Sequence, residues 1–451
     1  MKITIVGAGK VGEKLCIDLA SEGHDIVLIE KNEKTLNRII AQADIAGVVG
    51  NGALYETQVA AGVGESDIFI AVTPQDETNI IAAITAKVLN HRTTIARVRD
   101  PDYTTQMNFL RRKMGIGLMI NPEQQAARSI IQMIQFPEAI AVDQFANGRV
   151  YVVQFLVNAG SPLVGLKMKD LRPKFSDVLV GIIERTDGQV LIPSGYIEIR
   201  AGDIIHVTGE MKQLIKFYNC LGGHSEKIRS AMIIGGGRIT RYLIPALLRY
   251  GIKLKVIEKS LEPANYLAGM YSDISVVNGD GTSQATLLEQ RIQDYDAVIS
   301  LTGIDEENLL IGLFAETQKV PKIISKVNRI NLLDLLHSQA IQSIVTPKEL
   351  VADEIIRLVR AKANSEGSKV ESLYRLARGK VEALQFTVTA KSKSINVPLQ
   401  DLPIRPETII TYILRDRDLI FPTGQDCILP EDRVIVFTTY KNFDDLDDIL
   451  Q

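Results

Sequence analysis

The chain repeats itself, and an internal repeat constrains architecture more tightly than any single motif. KITIVGAGKVG near the start has a counterpart in SAMIIGGGRIT, which places Gly7 and Gly235 228 positions apart. The strand-end acids Glu30 (HDIVLIE) and Glu258 (KLKVIE) keep that spacing. Further on, DIFIAVTPQDETN aligns with DAVISLTGIDEENL at a spacing of 229, matching Thr73, Asp76, Glu77 and Asn79 to Thr302, Asp305, Glu306 and Asn308. The chain reads as two copies of one unit.

Each copy has two parts. The first alternates short apolar runs with helical segments, KITIVGAG, DIVLIE, AGVVGNG, DIFIAV and TIARVRD in the first copy, and this alternation implies a parallel sheet with helices on both faces. NPEQQAARSIIQMI and TPKELVADEIIRLV then carry apolar residues at helical spacing and lead the chain onward. The second part is a series of β runs with little helix between them: VYVVQFLV, VLVGIIER and DIIHVTGE, matched by ALQFTVTA, IITYILRD and RVIVFTTY. The expected fold is α/β: two tandem Rossmann-like domains, each followed by a small α+β domain. The boundaries are 1–122, a crossover helix over 123–140, and 141–222; then 228–347, a crossover helix and connector over 348–375, and 376–451. The polar stretch AKANSEGSK (361–369) reads as a connector.

Gly7-Ala8-Gly9-Lys10-Val11-Gly12 follows a predicted strand and opens a helix. There the three glycines serve a tight turn, close approach of backbone to pyrophosphate, and close helix–strand packing. The N–H groups at the helix start face the phosphate. Glu30 ends the next strand, where a carboxylate accepts from ribose hydroxyls and repels a 2′-phosphate, so NAD(H) or ATP/ADP fit and NADP is disfavoured. In the second copy Gly235 and Gly237 with Arg238 and Ile239 keep the pattern, and Glu258 supplies the acid. Thr240 stands where the packing glycine belongs, a loosening of helix against strand. After the fifth strand Arg97 and Arg99 face Lys326 and Asn328. Guanidinium favours bidentate phosphate contacts, so the two sites are expected to differ in anion preference. Asp76, Glu77, Asp305 and Glu306 read as helix-start residues, while Thr73 and Thr302, at the strand's carboxyl end, are candidates for ligand contact.

Catalysis finds little support. The histidines His24, His91, His206, His224 and His337 do not recur at the repeat spacing, and none belongs to a recognisable acid–base, nucleophile or metal arrangement. His24 falls in a helix–strand turn and His206 in a β run. Cys16, Cys220 and Cys427 are far apart and form no redox or metal motif. The formal net charge of −3 gives no electrostatic reason to expect nucleic acid. No apolar run approaches the ~20 residues that cross a bilayer, and the expected setting is cytoplasmic.

In order, GAGKVG with Glu30, GNGA (Gly50-Asn51-Gly52), AVTPQDETN, ARVRDPDY and INPEQQAA, repeated as NGDGT, SLTGIDEEN and IVTPKELVAD, resemble the TrkA family over essentially the full length. These are peripheral nucleotide-binding subunits of Trk-type potassium transporters, built from tandem RCK (KTN) domains each followed by a TrkA-C domain. The resemblance implies a non-enzymatic gating subunit on the inner face of the membrane. It also implies assembly of a dimer or tetramer of chains into a ring, and a channel-type potassium subunit as partner. Asn51 and Asp280 would lie against the adenine side of each nucleotide. Lys10 and Arg238 hold the position of the family's glycine-loop arginine, which reaches a phosphate bound by the neighbouring unit. The rival readings are an NAD-dependent dehydrogenase and an RCK-type regulator of another cation transporter.

Overall fold

The computed structural model describes residues 1–451 except 90–91, 105, 138, 146–148, 176–177, 221–226, 330–342, 364–367, 378, 417 and 442. Six strands, β1 (Lys2–Val6), β2 (Asp25–Glu30), β3 (Ala46–Val49), β4 (Ile68–Ala71), β5 (Thr93–Arg97) and β6 (Leu118–Ile120), form the first sheet in the order β3-β2-β1-β4-β5-β6. All five pairings are parallel. Strands covered on both faces must be apolar throughout, and β4 (IFIA) is buried along its whole length. The register sets Val6 between Ile29 and Ala71, so the carboxyl ends of the central strands finish level. Between β1 and β4 the strand order reverses, which opens the crevice where ligands bind in such sheets.

An antiparallel domain follows: β7 (Val142–Phe145), β8 (Val150–Leu156), β9 (Val178–Glu184), β10 (Val190–Leu191) and β11 (Ile204–Gly209), in the order β10-β9-β11-β8-β7. The second sheet, β12 (Ser230–Ile234), β13 (Lys253–Glu258), β14 (Ser275–Asn278), β15 (Ala297–Ser300), β16 (Lys322–Lys326) and β17 (Ser343–Val345), repeats the first order. The last domain holds β18 (Lys369–Leu376), β19 (Val381–Thr387), β20 (Thr408–Arg415), β21 (Asp418–Ile420) and β22 (Arg433–Thr438). Its sheet begins at Lys369, inside the segment that the sequence assigns to the connector. The first small domain also carries helices Met168–Lys174 and Met211–Cys220, in keeping with its α+β class.

The two halves exchange helices. The crossover helix Pro122–Gln135 buries Ala126, Ala127, Ile130, Met133 and Ile134 in one core with Leu243, Ile244 and Leu247 of the second Rossmann unit. Reciprocally, helix Pro347–Ala363 buries Val351, Ile355, Ile356 and Val359 in one core with Leu15 and Leu19 of the first unit. The two small domains also pack on each other: Phe145, Val152 and Ile182 share a core with Tyr412, Ile435 and Phe437. At Gly181 an added Cβ would come within 2.5 Å of the Phe437 ring, so a glycine is required there. Among the described histidines, His24 lies in the turn before β2. His206 is fully buried in β11 with Nε2 2.7 Å from Glu184, a core role. His91, His224 and His337 lie outside the described residues. Cys16 is buried, and burial pushes its thiol pKa up to about 12.

Candidate nucleotide sites and the cleft between them

Each glycine loop is built by backbone constraint. Gly7 (φ +99) and Gly235 (φ +106) adopt a conformation that side chains disfavour. At Gly12 a Cβ would stand 1.9 Å from the Gly7 carbonyl oxygen. Thr240, at the matching place, is fully buried and donates from Oγ1 to the Gly235 carbonyl at 2.5 Å. The contact the first copy makes by having no side chain is replaced in the second by a hydrogen bond. Gly9 and Gly237 have open space where a Cβ would lie, which leaves the backbone approachable. Glu30 accepts from the Ala8 amide at 2.7 Å and the Asn32 amide at 2.9 Å. Glu258 does the same for Gly236 (2.6 Å) and Ser260 (2.7 Å). These acids therefore brace the loops, with spare lone pairs left on each carboxylate.

Residues identical between the copies act as scaffold. Asn79 is fully buried, and its Nδ2 donates to the carbonyls of Thr73 (3.0 Å) and Arg97 (2.9 Å), tying the ends of β4 and β5 together. Asn308 ties Thr302 and Lys326 likewise, at 3.2 and 2.9 Å. The Thr73 hydroxyl donates to Asn79 Oδ1 (2.8 Å) and lies 3.2 Å from the Gln75 carbonyl, while the Thr302 hydroxyl turns to the Ile304 carbonyl (3.1 Å). Asp76 opens helix Asp76–Leu89 but does not cap it. Its buried carboxylate accepts from the amides of Arg99 (2.8 Å) and Asp100 (2.9 Å). Asp305 holds the Asn328 and Arg329 amides, both at 3.0 Å. These acids do start their helices, as the sequence reading has it, and Asp76 and Asp305 also fix the loop beyond the fifth strand, because backbone amides there have no strand partner.

These loop contacts also bear on the comparison of the basic residues. Arg99 is engaged by Asp76 and the Pro74 carbonyl, and Asn328 by Asp305, so both serve the scaffold. In the cleft lining the copies differ at Arg97 against Lys326, at Arg99 against Asn328, and at Glu123 against Lys348. Gly9, Lys10, Val11, Arg97, Gly237, Arg238, Ile239 and Lys326 all line one cleft of about 370 Å³ between the two Rossmann units. Gly7, Glu30, Asn51, Thr73, Gly235, Glu258, Asp280 and Thr302 are not in its lining and sit behind or beside the glycine loops. Asp280 lies in the turn after β14, where hydrogen bonds from Lys259 (2.7 Å) and Thr282 hold its carboxyl well below the usual range. Asn51 accepts from the Ala53 amide at 3.3 Å in the equivalent turn.

The two units reach across the cleft toward each other. Arg238 of the second unit comes within 4.0 Å of Asp100 of the first. Tyr242 donates to the Arg99 carbonyl at 3.1 Å and receives from Asn121 Nδ2 at 2.7 Å. Burial lowers the Arg97 pKa, with Arg99 and Arg238 adding to the effect, and its Nε is buried without a hydrogen-bond partner. Burial likewise lowers the Lys326 pKa, and Lys10 of the other unit pushes the same way. Glu123 is the one carboxylate in the lining. Burial raises its pKa against the pull of Arg97 and Arg99, and Oε2 finds no partner.

Sequence reasoning missed the crossover helices as part of this site. Pro122 and Glu123, and Pro347 and Lys348, line the cleft at the starts of their helices, beside the helix starts at Lys10 and Arg238. Four helix N-termini, each equivalent to roughly +0.5 charge, therefore converge on a space that already holds Lys10, Arg97, Arg99, Arg238, Lys326 and Lys348. A signal was present in Asn121-Pro122 and Thr346-Pro347, a capping residue followed by a first-turn proline. Asn121 indeed caps its helix, accepting from the Gln124 amide at 2.8 Å.

Fold and site together define a tandem Rossmann protein whose paired glycine loops open onto a shared, electropositive cleft. The TrkA-N domain family matches residues 3–122 and 231–347, and the TrkA-C domain family matches 152–222 and 383–451. The chain belongs to the TrkA family. The Trk system potassium uptake protein TrkA homolog 2 of Methanosarcina mazei is 32% identical over 445 residues, covering 97% of both chains. The TrkA homolog of Archaeoglobus fulgidus is 29% identical over 451 residues, covering 100% of both. Among solved structures, the GsuK channel is similar in fold, with a TM-score of 0.65 at 19% identity over 97% of this chain and 76% of that one. The GsuK channel bound to NAD gives 0.63 at 18% identity, with the same coverage.

Proposed function

We propose that this chain is a non-catalytic gating subunit of a Trk-type potassium uptake system, and that it holds an adenine nucleotide in each Rossmann unit. The observation that carries the reading is the cleft, where six cationic side chains and four helix N-termini face one buried carboxylate. Such a site favours anions strongly. The residues fit NAD(H) or ATP/ADP. The adenosine would lie toward Glu30 and Asn51, or Glu258 and Asp280, with the pyrophosphate on the glycine loop and the phosphates directed to the cleft. Bound there, the nucleotide supplies negative charge shared by both units. Arg97 and Lys326 would each meet phosphate from their own unit, and Lys10 and Arg238 phosphate from the other. A ligand shifts an equilibrium only by its differential affinity for two arrangements, and a phosphate bridging two units depends on how they are set. Chains of this kind assembled as a ring, a dimer or tetramer beneath a membrane channel subunit on the inner face of the membrane, would pass that change on. Support comes from the potassium uptake names of the relatives and from the GsuK structures, solved with NAD and with ADP.

Calorimetric titration with NADH, NAD, ATP, ADP and NADPH tests the reading. Two sites of unequal affinity, weak binding of NADPH and no turnover are expected. A single nicotinamide site with hydride transfer to an added carbonyl or hydroxy compound would favour a dehydrogenase.

Lys326 gives a pH signature. Its pKa is lowered, so its charge is lost at a lower pH than an ordinary lysine's, and phosphate binding favours the charged form. Affinity for NAD is therefore expected to fall as pH rises from 7 to 9.5, and the Lys326→Arg variant should flatten the decline. An unchanged slope in that variant would remove Lys326 from the phosphate contacts.

A further inference from the structure

The second Rossmann unit carries a feature on its opposite edge that the nucleotide sites do not use. Arg229, Lys253, Lys255 and Arg291, with Tyr295, line an open concavity of about 580 Å³ at the amino ends of β12 and β13. Arg229 and Lys253 are exposed, and Arg291 is 74% exposed. Among the described contacts of Lys255 are the Gln290 side chain (3.1 Å) and the Tyr295 ring, 5.7 Å from its Nζ. Asp294 pairs with Arg291 at 2.5 Å, and Tyr250 stands 59% exposed beside the Gly251 turn.

The duplication shows that the fold does not need these cations. At the four matching places the first unit has Met1, Asp25, Val27 and Gly62. The match is structural as well as sequential, since Lys2 pairs with Asp25 as Ser230 pairs with Lys253. Gly62 precedes its short helix at φ +68, a left-handed conformation that suits glycine. Arg291 precedes the equivalent helix at φ +59, where a side chain is disfavoured. A strained arginine replaces a relaxed glycine, and a lysine replaces an aspartate, at one rim of a chain whose net charge is −3.

We propose that this basic concavity binds phosphate groups of anionic membrane lipids, seating the edge of the second unit at the amino ends of β12 and β13 on the bilayer surface. Cations flanked by the exposed Tyr250 and the half-buried Tyr295 suit the headgroup layer, where an aromatic ring rests on the apolar boundary and its hydroxyl in water. Among the described residues no helix is long and apolar enough to cross a membrane. Surface attraction of this kind, about fivefold in partition per cation, gives direct contact with the bilayer. It acts alongside the nucleotide sites and does not depend on them.

The test is cosedimentation of the full chain with phosphatidylcholine vesicles, with and without phosphatidylglycerol, at low salt. Binding is expected only to the anionic vesicles, with release as added salt screens the charges. The variant Lys253→Asp with Arg291→Gly installs first-unit residues and should weaken partition by at least about thirtyfold. Arg229→Met serves as a milder second variant should the first fail to fold. Removal of two exposed cations elsewhere, Arg111→Ala with Arg112→Ala, should change partition by less than about fivefold. Three results would overturn the proposal: no binding to anionic vesicles, equal loss in the Arg111/Arg112 control, or displacement by millimolar inorganic phosphate at constant ionic strength. The last would mean that the concavity takes a free phosphate.

Discussion

Replacing Arg360 with alanine is expected to destabilise the folded chain by about 3–5 kcal/mol, a large shift in urea midpoint. Arg360 closes the crossover helix Pro347–Ala363 and is 1% exposed. Its guanidinium donates to both oxygens of Glu22 (3.1 and 2.7 Å) and both of Glu382 (2.8 and 3.2 Å). Burial opposes its charge, but the hydrogen bonds with Glu22 and Glu382 hold its pKa above the ordinary arginine value. The fork thus joins three parts: the first Rossmann unit, the exchanged helix and the last domain. Removing it leaves two buried carboxylates to Arg375, which already holds Asp18 at 2.6 Å. Arg360→Lys keeps charge without the planar fork and should recover only part of the loss. The other half has Tyr250, Gln135 and Tyr151 at the matching places, with no charge among them. The cluster therefore marks which helix belongs on which unit. A midpoint change equivalent to less than about 1 kcal/mol, the range of a surface ion pair, would show that the cluster adds nothing to the exchange.

The second large effect concerns Arg238. Its replacement by alanine should weaken binding of ATP or NADH by about ten- to a hundredfold, in line with the ~1.5–3 kcal/mol of a hydrogen bond to a charged group. Adenosine affinity should stay within about twofold, within the usual error of distant, independent sites. Arg238 stands at a helix start on one unit and reaches Asp100 on the other, so it senses the phosphate end and not the base. The same variant should uncouple nucleotide from any change in ring shape, measured by solution scattering with and without ligand. An identical scattering response in wild type and Arg238→Ala would contradict the cross-unit contact. Equal loss of adenosine and ATP binding would instead place Arg238 at the base or in the fold.

Much of this arrangement was legible in the chain. Strand–helix alternation and the doubled glycine loops are local patterns with fixed periods, and both sheets follow from them. Helix exchange was not legible, because the apolar faces of NPEQQAARSIIQMI and TPKELVADEIIRLV say that they are buried but not against which copy. With the exchange hidden, the convergence of four helix starts on one cleft was hidden too. Asp76 and Asp305 show a second limit. An acid in a helix's first turn looks like a capping group, yet its carboxylate here serves a loop more than twenty residues away. Thr240 shows a third: a broken glycine pattern reads as a weakened site until the hydroxyl's hydrogen bond to Gly235 is seen. The strand at Lys369–Leu376 hid because a polar stretch runs directly into it.

The central claim is that nucleotides of both units bring their phosphates to one shared cleft. A crystal structure of the chain grown with ATP or NADH tests it most directly. The account predicts density for phosphate within hydrogen-bond distance of Arg97 or Lys326 and also of Lys10 or Arg238 from the opposite unit. Phosphates resting on the glycine loops but directed away from the cleft, with those four side chains unengaged, would contradict it.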